Sequence, residues 1–216
     1  MEGLAEIKSL LSVPKNILIS SHRNPDGDAL GASLGLSLYL QKLGHQVKVV
    51  YPSEYPSTFI YLPQIKDTYI FDLHNEELDP FIDHTDIIFS LDYNGLDRID
   101  RLGEKIRSSK AKVIMIDHHL DPEPFYNYAL SETEASSTAE LVYKFLEIMD
   151  HTKFLDQDIA TCILTGLITD TGSFKYNSRP YTFIVASKLI ETGIDLKEIQ
   201  DLIFNSMSIK QMKLLA

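Results

Sequence analysis

Residues 16–44 read NILISSHRNPDGDALGASLGLSLYLQKLG, and the fold is decided here. Asn16–Ser20 is a short apolar run of the kind buried inside a sheet. Arg23-Asn24-Pro25-Asp26-Gly27 is dense in turn formers. From Asp28 onward Leu30, Leu34, Leu38 and Leu43 recur near helical spacing, and Gly44 supplies the stop. A second strand follows at Gln46–Tyr51. Strand, turn and helix in that order form the repeating unit of a parallel α/β sheet.

Working outward, Pro52 to Pro63 is broken and aromatic, and reads as loop with a short helix. Thr68–Phe71 reads as a third strand. Asp86–Leu91 (DIIFSL) and Lys112–Ile116 (KVIMI) are two further apolar runs, and the charged segment Asp97–Lys110 between them is predicted helical. The expected fold class is therefore α/β: a doubly wound, mainly parallel sheet flanked by helices. After about residue 135 the strand pattern stops. Ser136–Met149, Asp156–Thr169, Pro180–Thr192, Asp195–Asn205 and Ser208–Ala216 read as helices, giving a mostly helical C-terminal part. The last has no stop signal, which suggests a chain cut within a longer protein.

The 216 residues can bury a proper core in one domain or two, and 44% hydrophobic with 24% charged is ordinary globular composition. No apolar run approaches the roughly 20 residues of a membrane helix. The N-terminus lacks a signal-peptide core. A single cysteine, Cys162, excludes an intramolecular disulfide and suits a reducing compartment, so cytoplasm is expected. The net charge of -11 disfavours long nucleic acid, whose binding rests on basic contacts to phosphates. The acidity is either a solubility charge or, in part, a set of metal ligands. A small substrate fits both.

The chemistry-bearing residues fall at strand ends. His22, Asp26 and Asp28 follow the first strand, Asp92 ends DIIFSL, and Asp117, His118 and His119 end KVIMI. In an open parallel sheet ligands bind outside the carboxyl ends of the strands, so these groups converge on one edge. Imidazole with carboxylate suits manganese and other first-row divalent ions, with magnesium or cobalt as alternatives; the lack of thiolates argues against structural zinc. An aspartate can bridge two ions, and a two-metal site clamps both oxygens of a displacement at phosphorus. Bland readings exist for each residue alone. Asp28 could cap its helix, and Pro25-Asp26-Gly27 could be an ordinary turn. An aspartate and two histidines closing a buried strand, however, have no packing rationale. Asp170 follows an apolar helix, and Gly172 permits a turn that would aim its carboxylate inward; it is a ligand or simply a helix end.

The run His22-x-x-x-Asp26-x-Asp28, the isolated Asp92, the triplet Asp117-His118-His119 and Asp170-Thr171-Gly172-Ser173-Phe174 resemble the four ordered motifs of the DHH phosphoesterase superfamily. That superfamily includes RecJ exonuclease, manganese-dependent pyrophosphatase and cyclic-di-AMP phosphodiesterases. Residues 21–31, residues 134–141 and the Asp170 segment are most similar to its nanoRNase/pAp-phosphatase group. The resemblance implies two divalent ions, manganese by expectation. His22, Asp26 and Asp92 would hold one; Asp28, Asp92, His118 and Asp170 would hold the other, with Asp92 as the bridge. His119 would face the substrate phosphate, and Asp117 would orient a ligand histidine through its ring N–H. Ser136, Ser137 and Thr138 would start a helix near the site, either receiving an anion or only capping. Residues 1–205 would be the catalytic domain, and 206–216 the start of a linker helix to a DHH-associated domain absent from this chain.

The implied activity is hydrolysis of short oligoribonucleotides and 3′-phosphoadenosine 5′-phosphate. The alternatives are a cyclic-di-AMP/pApA phosphodiesterase, a pyrophosphatase and, from another class, a non-catalytic scaffold. No membrane partner is expected, and a homodimer stays open. His45, His74, His84 and His151 read as surface residues. Arg98 and Arg101 either reach a phosphate or are solvated. Tyr51, Tyr55, Tyr61 and Phe59 either stack on a base or pack in core and loop. Cys162 reads as core.

Overall fold

In the computed structural model, residues 3–204 are described, and their centre is a six-stranded sheet with every neighbouring pair parallel. The strands are β1 (Asn16–Ser20), β2 (Gln46–Tyr51), β3 (Tyr69–Ile70), β4 (Ile87–Leu91), β5 (Lys112–Asp117) and β6 (Tyr128–Ser131), in the order β3-β2-β1-β4-β5-β6. The helices are α1 (Leu4–Leu10), α2 (Gly27–Lys42), α3 (Phe71–Asp83), α4 (Asp100–Ser108), α5 (Thr138–Ile148), α6 (Gln157–Thr171), α7 (Pro180–Ile190) and α8 (Leu196–Phe204). The expected α/β, doubly wound architecture is the one found. The helix read at 208–216 and the linker segment 206–216 lie outside the described residues.

Continuous apolar strands follow from burial on both faces. Ile17 and Ile19 face the larger core with Phe89, Ile114 and Ile116, while Leu18 points oppositely, with Ile88 and Val113. Successive strand side chains alternate faces, so a strand covered on both sides has no polar position to spare. The sheet's order reverses between β1 and β4, which pair directly. In doubly wound sheets that reversal opens a crevice at the carboxyl edge.

The helix α2 is buried along nearly its whole length, from Gly27 to Leu40, because it lies between the sheet and α6. Each fully buried leucine contributes about 1.5–3 kcal/mol, and Leu30, Leu34, Leu36 and Leu40 are all within 1% of full burial. Close approach of the two helices depends on glycine. A Cβ on Gly31 would lie 2.3 Å from the Cys162 carbonyl oxygen and 2.9 Å from the Gly166 nitrogen, both backbone atoms.

Several elements differ from the sequence reading. α3 was not foreseen: Pro80 lies inside it and His74 has non-helical angles, so local signals obscure the helix. β6 is a short, half-exposed edge strand whose sequence, YALS, carries little apolar signal. The segment Asp97–Lys110 is helical as expected, but in two pieces, a 3-10 turn at Leu96–Ile99 and then α4, with Asp100 at positive φ where they join. The strand read at Thr68–Phe71 is only two residues long, and Phe71 begins α3. His45 is buried, accepting the Lys15 N–H on its Nδ1, where a surface role was expected. No helix among the described residues is long and apolar enough to cross a membrane.

Because the atoms facing Gly31 are backbone and cannot rotate away, Gly31→Ala is expected to destabilise the protein by about 1–3 kcal/mol. Urea unfolding checks this; an unchanged midpoint would contradict the close α2–α6 packing.

Candidate metal centre

Four chain segments meet at the carboxyl edge beside the β1/β4 reversal. After β1 the chain turns through a left-handed Asn24 to Asp26, which caps α2 by accepting the amides of Asp28 and Ala29 at 3.0 Å each. The cap expected at Asp28 is thus supplied by Asp26, and capping does not compete with a ligand role. His22 donates from Nδ1 to the Arg23 carbonyl at 2.9 Å. Its Nε2 therefore points inward, 3.9 Å from Asp26 Oδ1 and 3.5 Å from Asp92 Oδ2.

Asp92 is the residue around which the rest is arranged. It follows β4 with a left-handed backbone (φ 63°), a conformation that costs on the order of 1–3 kcal/mol for a non-glycine residue and clusters at functional sites. Its amide donates to Ile116 of β5 at 3.2 Å, which turns the side chain into the crevice. The carboxylate is buried, and Oδ1 lies 3.6 Å from His118 Nε2 and 3.8 Å from His119 Nδ1.

β5 delivers the triplet. His118 donates from Nδ1 to the Ala135 carbonyl at 3.3 Å and sets Nε2 between Asp92 and, at 3.7 Å, Asp170. Asp117, expected to orient a ligand histidine, instead accepts His119 Nδ1–H at 2.7 Å; the fully buried carboxylate keeps Oδ2 without a hydrogen bond. The two imidazoles meet edge to face, 4.8 Å apart. Asp170 arrives from the end of α6, where Gly172 takes the left-handed cap conformation and Ser173 and Phe174 continue in it.

Asp28, in the first turn of α2, reaches the N-terminus of α5. Its two oxygens accept the Thr138 amide at 2.6 Å and the Ala139 amide at 2.9 Å. The expected anion at this helix start is thus the protein's own carboxylate, while Ser137 Oγ caps the helix by accepting the Glu140 amide at 3.0 Å. A helix N-terminus suits a negative charge of either origin.

The electrostatics follow from crowding. Burial, then the charges of Asp92 and Asp170, push the Asp28 carboxyl well above the usual carboxylate range. Burial pushes Asp170 to about 6; His118 pulls against the shift, and Asp92 and Asp26 add to it. For His22 burial opposes the charged form, yet the carboxylates of Asp26 and Asp92 outweigh it and raise the imidazole to about 10. Such a cluster is a set of negative charges held closer than water would allow, and a cation relieves it. Three overlapping groups could each hold one: His22, Asp26 and Asp92; Asp28, His118 and Asp170; Asp92, His118 and His119, with ligand atoms within 4.8 Å of one another in each. All the residues singled out at 22, 26, 28, 92, 117, 118, 119 and 170 are brought to this edge.

Thr138, read as part of a helix start near the site, donates its hydroxyl to Asp92 Oδ1 at 2.8 Å. Glu140, fully buried, accepts Ser136 Oγ at 2.8 Å, Thr182 Oγ1 at 2.5 Å and Arg179 Nε at 2.8 Å. The Ser136-Ser137-Thr138 run was visible as a helix start, but nothing local says what its hydroxyls would face. Arg98 lies near enough for its charge to oppose protonation of His119, whereas Arg101 sits over the Phe71 ring, 5.7 Å from its centroid. Tyr51, Tyr55, Tyr61 and Phe59 pack in core and loop: Tyr51 is fully buried, Tyr55 donates to the Ile65 carbonyl, and Tyr61 bonds Thr165.

A doubly wound sheet here gathers histidines and aspartates at its switch point, in groups that could hold metal ions, and the family follows from the sequence. The model for the DHH family, N-terminal domain, matches residues 16–167, so the chain belongs to the DHH family, a phosphoesterase superfamily. It is 30% identical over 202 residues to the bifunctional oligoribonuclease and PAP phosphatase NrnA of Thermus thermophilus, covering 93% of this chain and 57% of that protein. It is 28% identical over 220 residues to the cyclic-di-AMP phosphodiesterase GdpP of Geobacillus thermodenitrificans, covering 97% of this chain and 33% of that one. Among solved structures, an exopolyphosphatase-related protein from Bacteroides fragilis superposes with a TM-score of 0.95 at 36% identity, over 98% of this chain and 63% of that one. Exonuclease RecJ bound to manganese superposes with a TM-score of 0.56 at 16% identity, over 94% of this chain and 55% of that one, a likeness of fold. The chain thus spans less than two thirds of these relatives' lengths.

The hydrogen bond that His119 donates to Asp117, joined by the charges of Asp117 and Asp92, raises His119 above its ordinary value against opposition from burial and Arg98. In the metal-free protein Asp117→Asn is therefore expected to bring the His119 midpoint back down toward the usual 6.5 or so. Histidine NMR titration reads it, and an unmoved midpoint would contradict the pairing.

Proposed function

We propose that this chain is the catalytic domain of a two-metal phosphoesterase acting on short oligoribonucleotides and 3′-phosphoadenosine 5′-phosphate. The observation that carries the reading is the position of Asp92, within 3.6 Å of histidines from two different ligand groups. His22, Asp26 and Asp92 would hold one divalent ion, and Asp28, Asp92, His118 and Asp170 the second. Nitrogen and carboxylate donors without thiolate suit manganese, with magnesium and cobalt as alternatives. Bound there, the pair supplies Lewis-acid polarisation of the phosphoryl group and balances the crowded carboxylates.

The chain's own groups then divide the remaining work. His119 is half-exposed at the mouth of the site, with Nδ1 committed to Asp117 and Nε2 left for substrate. Its raised pKa favours the protonated ring, which suits donation to a leaving oxygen. Arg98, exposed beside it, adds positive charge for a phosphate. Asp117 keeps the ring oriented. On this reading residues 1–205 form the catalytic domain, and the relatives extend well beyond the region matched. The acidity of -11 fits a small nucleotide substrate in the cytoplasm and disfavours long nucleic acid on this domain alone.

A second reading, a cyclic-di-AMP or pApA phosphodiesterase, is favoured by the match to GdpP across nearly the whole chain. A non-catalytic scaffold is disfavoured, because every ligand position carries a competent side chain in a shared cluster.

Incubating the full-length protein with manganese and a panel of short oligoribonucleotides, 3′-phosphoadenosine 5′-phosphate, cyclic-di-AMP and pApA tests the reading. The first two are expected to be hydrolysed, and Asp92→Ala is expected to cost more than the roughly 10–100-fold typical of outer-sphere changes. Hydrolysis of cyclic-di-AMP or pApA alone would select the second reading; a panel left intact, with Asp92→Ala without effect, would end both.

The charge state of His22 gives an independent test. Raised to about 10, it is protonated at neutral pH in the metal-free protein and must lose its proton to ligate. Metal binding is therefore expected to release protons, and the apparent affinity to weaken roughly tenfold per pH unit of acidification for each proton displaced. Calorimetry in buffers of differing ionisation enthalpy measures this; pH-independent affinity between about 6 and 8 would count against His22 as a ligand.

A further inference from the structure

We propose that Thr138 is the positioning residue of the metal centre, fixing Asp28 and Asp92 in their ligating arrangement before any ion binds; this rests on the two-metal reading. Thr138 is fully buried and touches both carboxylates: its amide donates to Asp28 Oδ2 at 2.6 Å and its hydroxyl to Asp92 Oδ1 at 2.8 Å. The Ala139 amide completes the grip on Asp28 at 2.9 Å. Asp28 comes from α2 and Asp92 from the end of β4, so one residue on a third element sets the relation between two others. A pair of buried like charges repels, and without donors aimed at them the carboxylates would swing apart.

The hydroxyl also sets an orientation. By holding Oδ1, it fixes the plane of the Asp92 carboxylate so that Oδ2 faces His22 at 3.5 Å while Oδ1 faces His118 at 3.6 Å. The two oxygens are thus allotted to the two ligand groups, which is the geometry a bridging carboxylate needs. A free rotor could present both oxygens to one ion.

The support for Thr138 is itself rigid. Ser137 caps α5, and Glu140 ties Ser136, Thr182 and Arg179 into one network, anchoring the start of α5 to α7. Ligands oriented by such outer contacts are worth about 10–100-fold in metal affinity. None of these groups would touch the ions, so the effect should appear in affinity and stoichiometry more than in the chemical step.

The test compares manganese binding by calorimetry, and the manganese-induced shift in melting temperature, in the full chain carrying Thr138→Val, Thr138→Ala or Thr138→Ser. Valine keeps the shape and the amide but removes the hydroxyl; alanine repeats the loss with less demand on packing; serine keeps the hydroxyl. Valine and alanine are expected to weaken manganese binding about 10–100-fold, with serine close to wild type. Wild-type affinity in valine or alanine, alongside lost binding in Asp92→Ala, would overturn the role of Thr138 while leaving the metal centre standing. Equal weakening in serine would also overturn it, since size and not the hydroxyl would then matter. No manganese binding by the wild-type chain would remove the metal reading and this proposal together.

Discussion

Buried carboxylates pressed together at the edge of a sheet repel one another, and the arrangement of this protein is best understood as a means of holding them there. Asp28, Asp92 and Asp117 are each at most 3% exposed, with Asp26 and Asp170 beside them. Desolvation penalises each charge, and each neighbour adds to the penalty. What offsets it is specific: amides from the start of α5, the Thr138 hydroxyl, and the imidazoles of His22, His118 and His119. A site held this way could take cations with little rearrangement, because the cost of collecting the charges is met by the fold.

The sheet supplies the place and the helices supply the distances. Reversal of strand order between β1 and β4 puts His22 and Asp92 on adjacent strands, and β5 brings the histidine pair one strand further along. Asp28 and Asp170 stand on α2 and α6, and the backbone approach at Gly31 and Gly166 sets how far apart they are. A Cβ added at Gly166 would come 2.8 Å from Asp28 Oδ1 itself, so the packing of the two helices and the shape of the site are one constraint.

Much of this was legible in the chain. Apolar runs at 16–20, 86–91 and 112–116 gave the strands, and the residues following them gave the candidate ligands, because strand ends and turns obey local rules. What escaped was non-local. α3 was hidden by Pro80 and by the break at His74, and β6 by its weak half-buried pattern. The partner of Asp117 could not be read from a triplet in which either histidine was equally near in sequence; the fold gives His119 to Asp117 and His118 to the Ala135 carbonyl. Thr138 read as a helix start that would receive an anion or only cap. Its role depends on Asp28, 110 positions away, and Asp92, 46 away, and no window along the chain spans that separation.

The most direct measurement is anomalous diffraction at the manganese edge from crystals grown with manganese. Two peaks are expected, one against His22 and Asp26 and the other against Asp28, His118 and Asp170, with Asp92 reaching both. A single ion away from Asp92, or no peak at this edge of the sheet, would contradict the shared-carboxylate centre.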